Sequence, residues 1–262
     1  MVKPFPVPLR FSMSDFPTDL ATDARHRPWP PPDTPWIMTQ SWHDLLFAHW
    51  PVSVRELRER VPAGLELDLF DNQAWLGIVP FRLTNVAPRL SPNVPFVSSF
   101  NELNVRTYVT RDGMPGIYFF SLDADSQFAV SVARTMFHLP YYPARIAVSA
   151  NSNGMQYTSR RTSGGARAEL DIAYRPTGPV FEASRGTLEY FLTERYCLYT
   201  LDDEFRAYRL EINHRPWPLQ IAEAEIAVNT MADAASVRLP DVQPLLHFAR
   251  RQDMVAWGLR GL

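Results

Sequence analysis

From Leu65 onward the apolar residues of this chain recur at every second position. Leu65, Leu67 and Leu69 alternate with Glu66 and Asp68, Asp71-Asn72 marks a turn, and Ala74–Phe81 returns as an apolar strand. The pattern repeats in NELNVRTYVT (101–110), the turn RDGMPG and the returning IYFFSL (117–122). A two-residue period places successive side chains on opposite faces of an extended chain, which a helix cannot do. Further strands are expected over 146–152, 155–159, 167–174, 196–200, 205–213 and 222–229.

Helical spacing is confined to short stretches. Ser53-Val-Arg-Glu56 matches a capping box, so a short helix is expected over 54–60, ended by Pro62. Phe128, Val132, Thr135 and Met136 predict a helix across 126–138, and a third is expected near 187–194. SWHDLLFAHWPV (41–52) reads as either a strand or a short helix entering the core. Many short strands, few helices and no βαβ rhythm predict a mainly β (α+β) fold, an antiparallel barrel-like sheet with peripheral helices.

Residues 1–36 carry many of the 24 prolines without a sustained period. They are expected to form an irregular arm, docked through Phe5, Phe11 and Trp29 onto the chain's own domain or a second copy. A homo-oligomer is therefore one expectation, and residues 37–262 are expected to form one barrel-like domain.

Composition removes several functions. A net charge of -2 provides no general basic field for nucleic acid, and no run approaches the length of a membrane span. No charged segment followed by an apolar one opens the chain, so a cytoplasmic protein without nucleic-acid or membrane partners is expected. The single Cys197 cannot form an internal disulfide, and its apolar YCLY setting suggests a core residue. The six histidines include no compact ligand pair, and P-loop, GxGxxG and GxSxG motifs are missing, so neither metal nor cofactor is expected. Lys3 is the only lysine, leaving arginine as 25 of the 26 Lys and Arg residues. Arginine stays protonated and cannot act as an amine nucleophile, which removes imine chemistry from the folded core.

The most informative strand is FNELNVRTY (100–108). Its period places Glu102, Asn104, Arg106 and Tyr108 on one face and Leu103, Val105, Thr107 and Val109 on the other. The polar face is either the solvated side of a half-buried strand or a ladder lining a cavity. As a ladder it would supply an anion-binding fork, a carboxylate, an amide and a phenol to a small ligand. Glu194-Arg195-Tyr196 stands where a helix passes into a strand, as a local ion pair or as pocket residues. His214, three residues before Trp217, is either a core residue stacked on the indole or an acid/base group. Gly164-Gly165 in SRRTSGGAR is either an exposed hairpin loop or an anion cradle.

WLGIVPF, FNELNVRTYV, GIYFFSLDA, HLPYYPARI, LTERYCLYT and HRPWPLQ occur in this order from Trp75 to Gln220. Together they resemble the YqjF-like (DUF2071) family, over most of residues 38–250. That family is distantly similar to the acetoacetate decarboxylase superfamily. There, an acidic residue lies on a strand read as aromatic-x-Glu and a Pro-Lys-Lys-x-x-Ala type segment follows a helix, one lysine forming the imine and its neighbour lowering the first one's pKa. Phe100-Asn101-Glu102 resembles the first element and Pro140-Tyr141-Tyr142-Pro143-Ala144 the second, with tyrosines where the amines would be.

Three functions follow as expectations. The first is a binding protein for a small anionic or carbonyl metabolite, with Arg106 as clamp and Glu102, Asn104, Tyr108, Tyr141, Tyr142, Glu194, Arg195 and His214 around it. The second is a cofactor-free lyase, isomerase or hydratase with Glu102 as base and Tyr141 as acid. The third is an interaction protein that uses the arm.

Overall fold

The period-two stretches are strands, and they close on themselves. The computed structural model describes residues 17, 19–89, 99–152 and 154–262. In chain order the elements are β1 (Met38–Val52), α1 (Val54–Arg58), β2 (Glu66–Leu67), β3 (Ala74–Pro88), β4 (Phe100–Arg111) and β5 (Met114–Ala124). Then follow α2 (Gln127–Phe137), β6 (Tyr141–Asn151), β7 (Gly154–Arg161), β8 (Glu169–Pro176), α3 (Leu188–Thr193) and β9 (Cys197–Leu201). The chain finishes with β10 (Ala207–His214), β11 (Leu219–Asn229), α4 (Met231–Ala234), β12 (Leu245–Ala256) and β13 (Arg260–Gly261).

Pairing runs β5–β9–β10–β12–β1–β3–β4 and back to β5, a closed ring of seven strands. A second path from β5 through β6, β7, β8 and β11 rejoins the ring at β12. The barrel is mixed: β5–β6 and β5–β9 are parallel, and the remaining pairings are antiparallel. The β5–β6 crossover carries α2, as parallel neighbours require.

The two paths leave β12, β1, β3 and β4 as a wall with protein on both sides. On one side Leu46, Ile78, Leu103, Val105 and Phe248 pack with Tyr157, Leu170, Ile172 and Tyr174 into the larger core. On the other side lies the lumen of the seven-strand ring. A strand buried on both faces loses its apolar/polar alternation, which explains the ambiguity of residues 41–52. They belong to β1, whose residues Leu45–Trp50 are all buried, and an irregularity between His43 and Ala48 with Asp44 at φ 51 resets the pleat. β12 lies outside the strands expected from the pattern, because the polar run Arg250–Asp253 interrupts its apolar residues.

Local signals fixed the ends of elements. Ser53, Ser126 and Thr187 each cap a helix by accepting a hydrogen bond from the third following amide. His138 terminates α2 in the left-handed conformation at φ 51. The β4–β5 hairpin turns on Asp112 and Gly113, both with positive φ, as a tight two-residue connection requires.

Residues 19–36 lie against β10 and β12. Leu20 packs with Val255 and Trp257, and the Arg27 guanidinium meets Glu211 at 2.9 Å. Trp29 also donates to Glu211, while Asn213 donates to the carbonyls of Leu20 and Asp23. The arm's described part therefore docks on its own barrel, with Trp29 as one anchor. Phe5 and Phe11 lie outside the described residues.

Candidate functional site

The lumen of the seven-strand ring holds a cavity of about 480 Å³ to which every strand of the ring contributes. Glu102, Asn104 and Arg106 enter it from β4, so their shared face turns inward rather than to solvent. The other face of β4 places Leu103 and Val105 in the larger core. Closure of the ring, not the composition of the strand, decides between the two readings of this face.

Tyr141 arrives from β6. This strand begins at Tyr141, earlier than the 146 expected from its pattern, because Leu122, Asp123 and Ala124 of β5 pair with Tyr141, Tyr142 and Pro143. Pro140 precedes this short parallel pairing and Pro143 is its last residue, and their carbonyls accept from Leu122 and Thr162. Prolines suit such strand margins, where no amide is needed for the ladder. Adjacent strand residues face opposite ways, so Tyr141 enters the cavity and Tyr142 does not. The Tyr142 ring sits 3.9 Å from the Arg161 guanidinium, with Arg134 also near its face.

The Tyr141 hydroxyl donates to Glu102 Oε2 at 2.7 Å. Burial pushes Glu102 up to about 7, against hydrogen bonds from Tyr141 and Asn104 that favour the carboxylate, and Asp123 raises it further. Burial and the Glu102 charge hold Tyr141 well above the ordinary phenol value. The phenol therefore stays a donor, while the carboxyl exchanges its proton near neutrality.

Arg106 is 8% exposed, and its Nη2 donates to the Leu192 carbonyl at 3.3 Å. The Phe47 and Tyr108 rings lie near the guanidinium, and among the described residues no carboxylate forms a salt bridge with it. Its Nε has no hydrogen-bond partner there either. Gly77 makes room for this packing: a Cβ would lie 3.1 Å from His49 and 3.3 Å from Arg106.

Several expected ligand residues stand outside the cavity lining. Tyr108 lies beyond Arg106 on β4, where its hydroxyl donates to the Leu192 carbonyl and pairs with His49. Phe191 packs on its ring at that end of the barrel, so strand parity held but depth did not. Glu194 accepts from the Trp217 amide at 2.8 Å and from the Tyr196 hydroxyl. Arg195 pairs with Asp68 and donates to the Phe191 carbonyl. Both are consumed in holding the α3–β9 junction. His214 stacks on Tyr196 at 4.7 Å between centroids, its ring nitrogens face the Arg215 and Arg195 carbonyls, and burial lowers its pKa. Gly164 and Gly165 lie in the exposed β7–β8 connection.

Sequence reasoning did not select Gln40 and Trp42, which line the cavity from β1. The Trp42 indole donates to Gln40 and stacks on Trp217 at 5.6 Å, 12° from parallel. Their only local signal was the alternation Met38, Gln40, Trp42, which ends at the irregularity after His43. Among the described residues no cluster of three His, Cys, Asp or Glu side chains is placed to hold a metal, and no helix is long and apolar enough to cross a membrane.

A closed mixed barrel with a helical crossover between two parallel strands is an acetoacetate decarboxylase-like fold. The enduracididine biosynthesis enzyme MppR, solved with pyruvate, superposes with a TM-score of 0.60 at 12% identity, covering 87% of this chain and 91% of that one. Acetoacetate decarboxylase from Legionella pneumophila gives a TM-score of 0.56 at 11% identity, covering 96% and 98%. At such identities the likeness concerns the fold alone. The sequence places the chain more narrowly: it belongs to the DUF2071 family, described as an uncharacterized conserved protein, whose model matches residues 39–253. Uncharacterized protein YqjF of Bacillus subtilis (strain 168) is 51% identical over 229 residues, covering 87% of this chain and 94% of its own.

Proposed function

We propose that this chain binds a small molecule in the barrel lumen, with an anionic or carbonyl group of the ligand held by Arg106, Asn104 and the Glu102–Tyr141 pair. One observation carries this reading: Arg106 is a buried cation in the cavity wall without a carboxylate partner among the described residues. A buried charge is ordinarily paired. An anionic ligand would supply the missing charge and a charge-assisted hydrogen bond. No described residue of the cavity wall carries an amine for imine formation, Lys3 being the only lysine of the chain. The test is a thermal-shift panel of oxo acids, hydroxy acids and aromatic acids on wild type and Arg106→Ala. A ligand binding only the folded state raises its midpoint. Shifts in wild type but not in the variant support the reading, and equal shifts in both would remove it.

A second reading is favoured by the Glu102–Tyr141 geometry. A carboxyl near 7 and a neutral phenol 2.7 Å apart can both reach one ligand. Glu102 would remove a proton from the carbon beside a carbonyl, while Tyr141 donates a hydrogen bond to the oxygen that gains negative charge. A cofactor-free lyase, isomerase or hydratase needs this pair of roles. Its test is deuterium uptake from D₂O at that carbon of a bound ligand. Uptake that Glu102→Gln abolishes supports catalysis, and binding without exchange leaves a binding protein.

A further inference from the structure

The ionisable groups of the cavity wall are one-sided. The Glu102 carboxyl and the Arg106 guanidinium, with the Asn104 amide and the Tyr141 phenol, lie on β4 and the start of β6, while the polar Gln40 of β1 is engaged by the Trp42 indole. In the seven-strand ring the position opposite β4 is the β10–β12 seam, three strands away in either direction. That seam presents Leu210, Ile212, Met254 and Ala256 to the lumen, all apolar. Across it lies α2, whose contribution, through Val132 and Phe137 among others, is also apolar.

Size leads to the same conclusion. A six-atom oxo acid, allowed one water volume of ~30 Å³ per non-hydrogen atom, needs about 180 Å³. The cavity of about 480 Å³ is more than twice that size, and most of its lining is apolar. Water gains little there, because hydrocarbon surface gives it no hydrogen-bond partners.

We infer that the ligand is amphipathic, with a carboxylate or carbonyl head at Glu102, Asn104 and Arg106 and an apolar tail of roughly eight to twelve carbons against the β10–β12 seam. This rests on the binding reading above and adds the class of molecule. The tail supplies affinity in proportion to its buried area, and the head fixes orientation.

The experiment is calorimetric titration of the full chain with straight-chain carboxylates from two to fourteen carbons, each below its micelle-forming concentration. The expected result is a dissociation constant that falls about threefold to fourfold per added methylene and levels off near eight to twelve carbons. Two variants fill the tail space, Ile212→Trp on the seam and Val132→Trp on α2. Each should move the optimum to shorter chains while leaving the shortest binders unchanged, and either suffices if the other fails to fold. Arg106→Ala should weaken the whole series without altering the gain per methylene. Short acids that bind with no gain from length would overturn the tail and leave the binding reading standing. A length dependence that neither filled variant moves would place the tail outside the cavity and overturn the inference. If no member binds wild type, the inference and the anion-binding reading fail together.

Discussion

Tyr141 of β6 and Glu102 of β4 meet over the intervening β5 at 2.7 Å, each under a tenth exposed, and the phenol is the donor. The carboxyl's proton affinity, about 7 against an ordinary 4.5, makes folding stability depend on pH. Between these values the folded state holds a proton that the unfolded state has released, so stability falls as pH rises through the window. Glu102→Gln keeps an acceptor for Tyr141 and removes the titration. Relative to wild type, the variant should gain stability between pH 5 and pH 8, by at most about 3 kcal/mol at 1.36 kcal/mol per pKa unit. Urea midpoints at both pH values provide the check, and a difference unchanged with pH would contradict the assignment.

Arg106 predicts opposing effects on stability and binding. Its guanidinium is buried against Phe47 and Tyr108 with one 3.3 Å hydrogen bond to Leu192. Arg106→Met should lose about 1 kcal/mol with that hydrogen bond and regain at least as much by removing a desolvated charge. Without ligand its denaturation midpoint should equal or exceed that of wild type, while carboxylates no longer shift it.

The arm acts through Glu211, which accepts from Arg27 and Trp29 at 2.9 Å and lies 3.1 Å from Arg209. Deleting residues 1–36 leaves Glu211 with Arg209 and uncovers Trp257 and Val255. Loss of one partner from a buried ion pair costs up to about 3–5 kcal/mol, less where a second cation remains. A fall of at least about 5 °C in Tm is expected, given about 2–4 °C per kcal/mol in a domain of this size. Light scattering on the same sample tests a role in self-association: an unchanged mass assigns the arm to intramolecular packing.

Cys197 is 1% exposed, and burial pushes its thiol up to about 12. A thiol must ionise and be reached in order to react. Labelling by a disulfide reagent at pH 8 should therefore proceed at the rate of opening of the β9 region and accelerate with urea in step with unfolding. Immediate labelling in native buffer would show that β9 is accessible.

The chain's covalent order settled everything that depends on neighbours. Alternation made Glu102, Asn104 and Arg106 one face of a strand, caps placed the helix starts, and a single lysine in the arm removed imine chemistry from the core. Adjacency also required that Tyr141 and Tyr142 point apart. Which of them would enter a cavity, and whether the β4 face met solvent, depended on contacts between residues far apart in sequence. Only ring closure through β9, β10 and β12 enclosed that face, and only the β5–β6 pairing brought Tyr141 to Glu102. Tyr108 shares the parity of Arg106 but lies deeper, where Leu192 and His49 engage its hydroxyl. Side-chain period is a local consequence of backbone geometry, whereas enclosure, depth and proton affinity arise from the desolvation that distant segments impose when they pack.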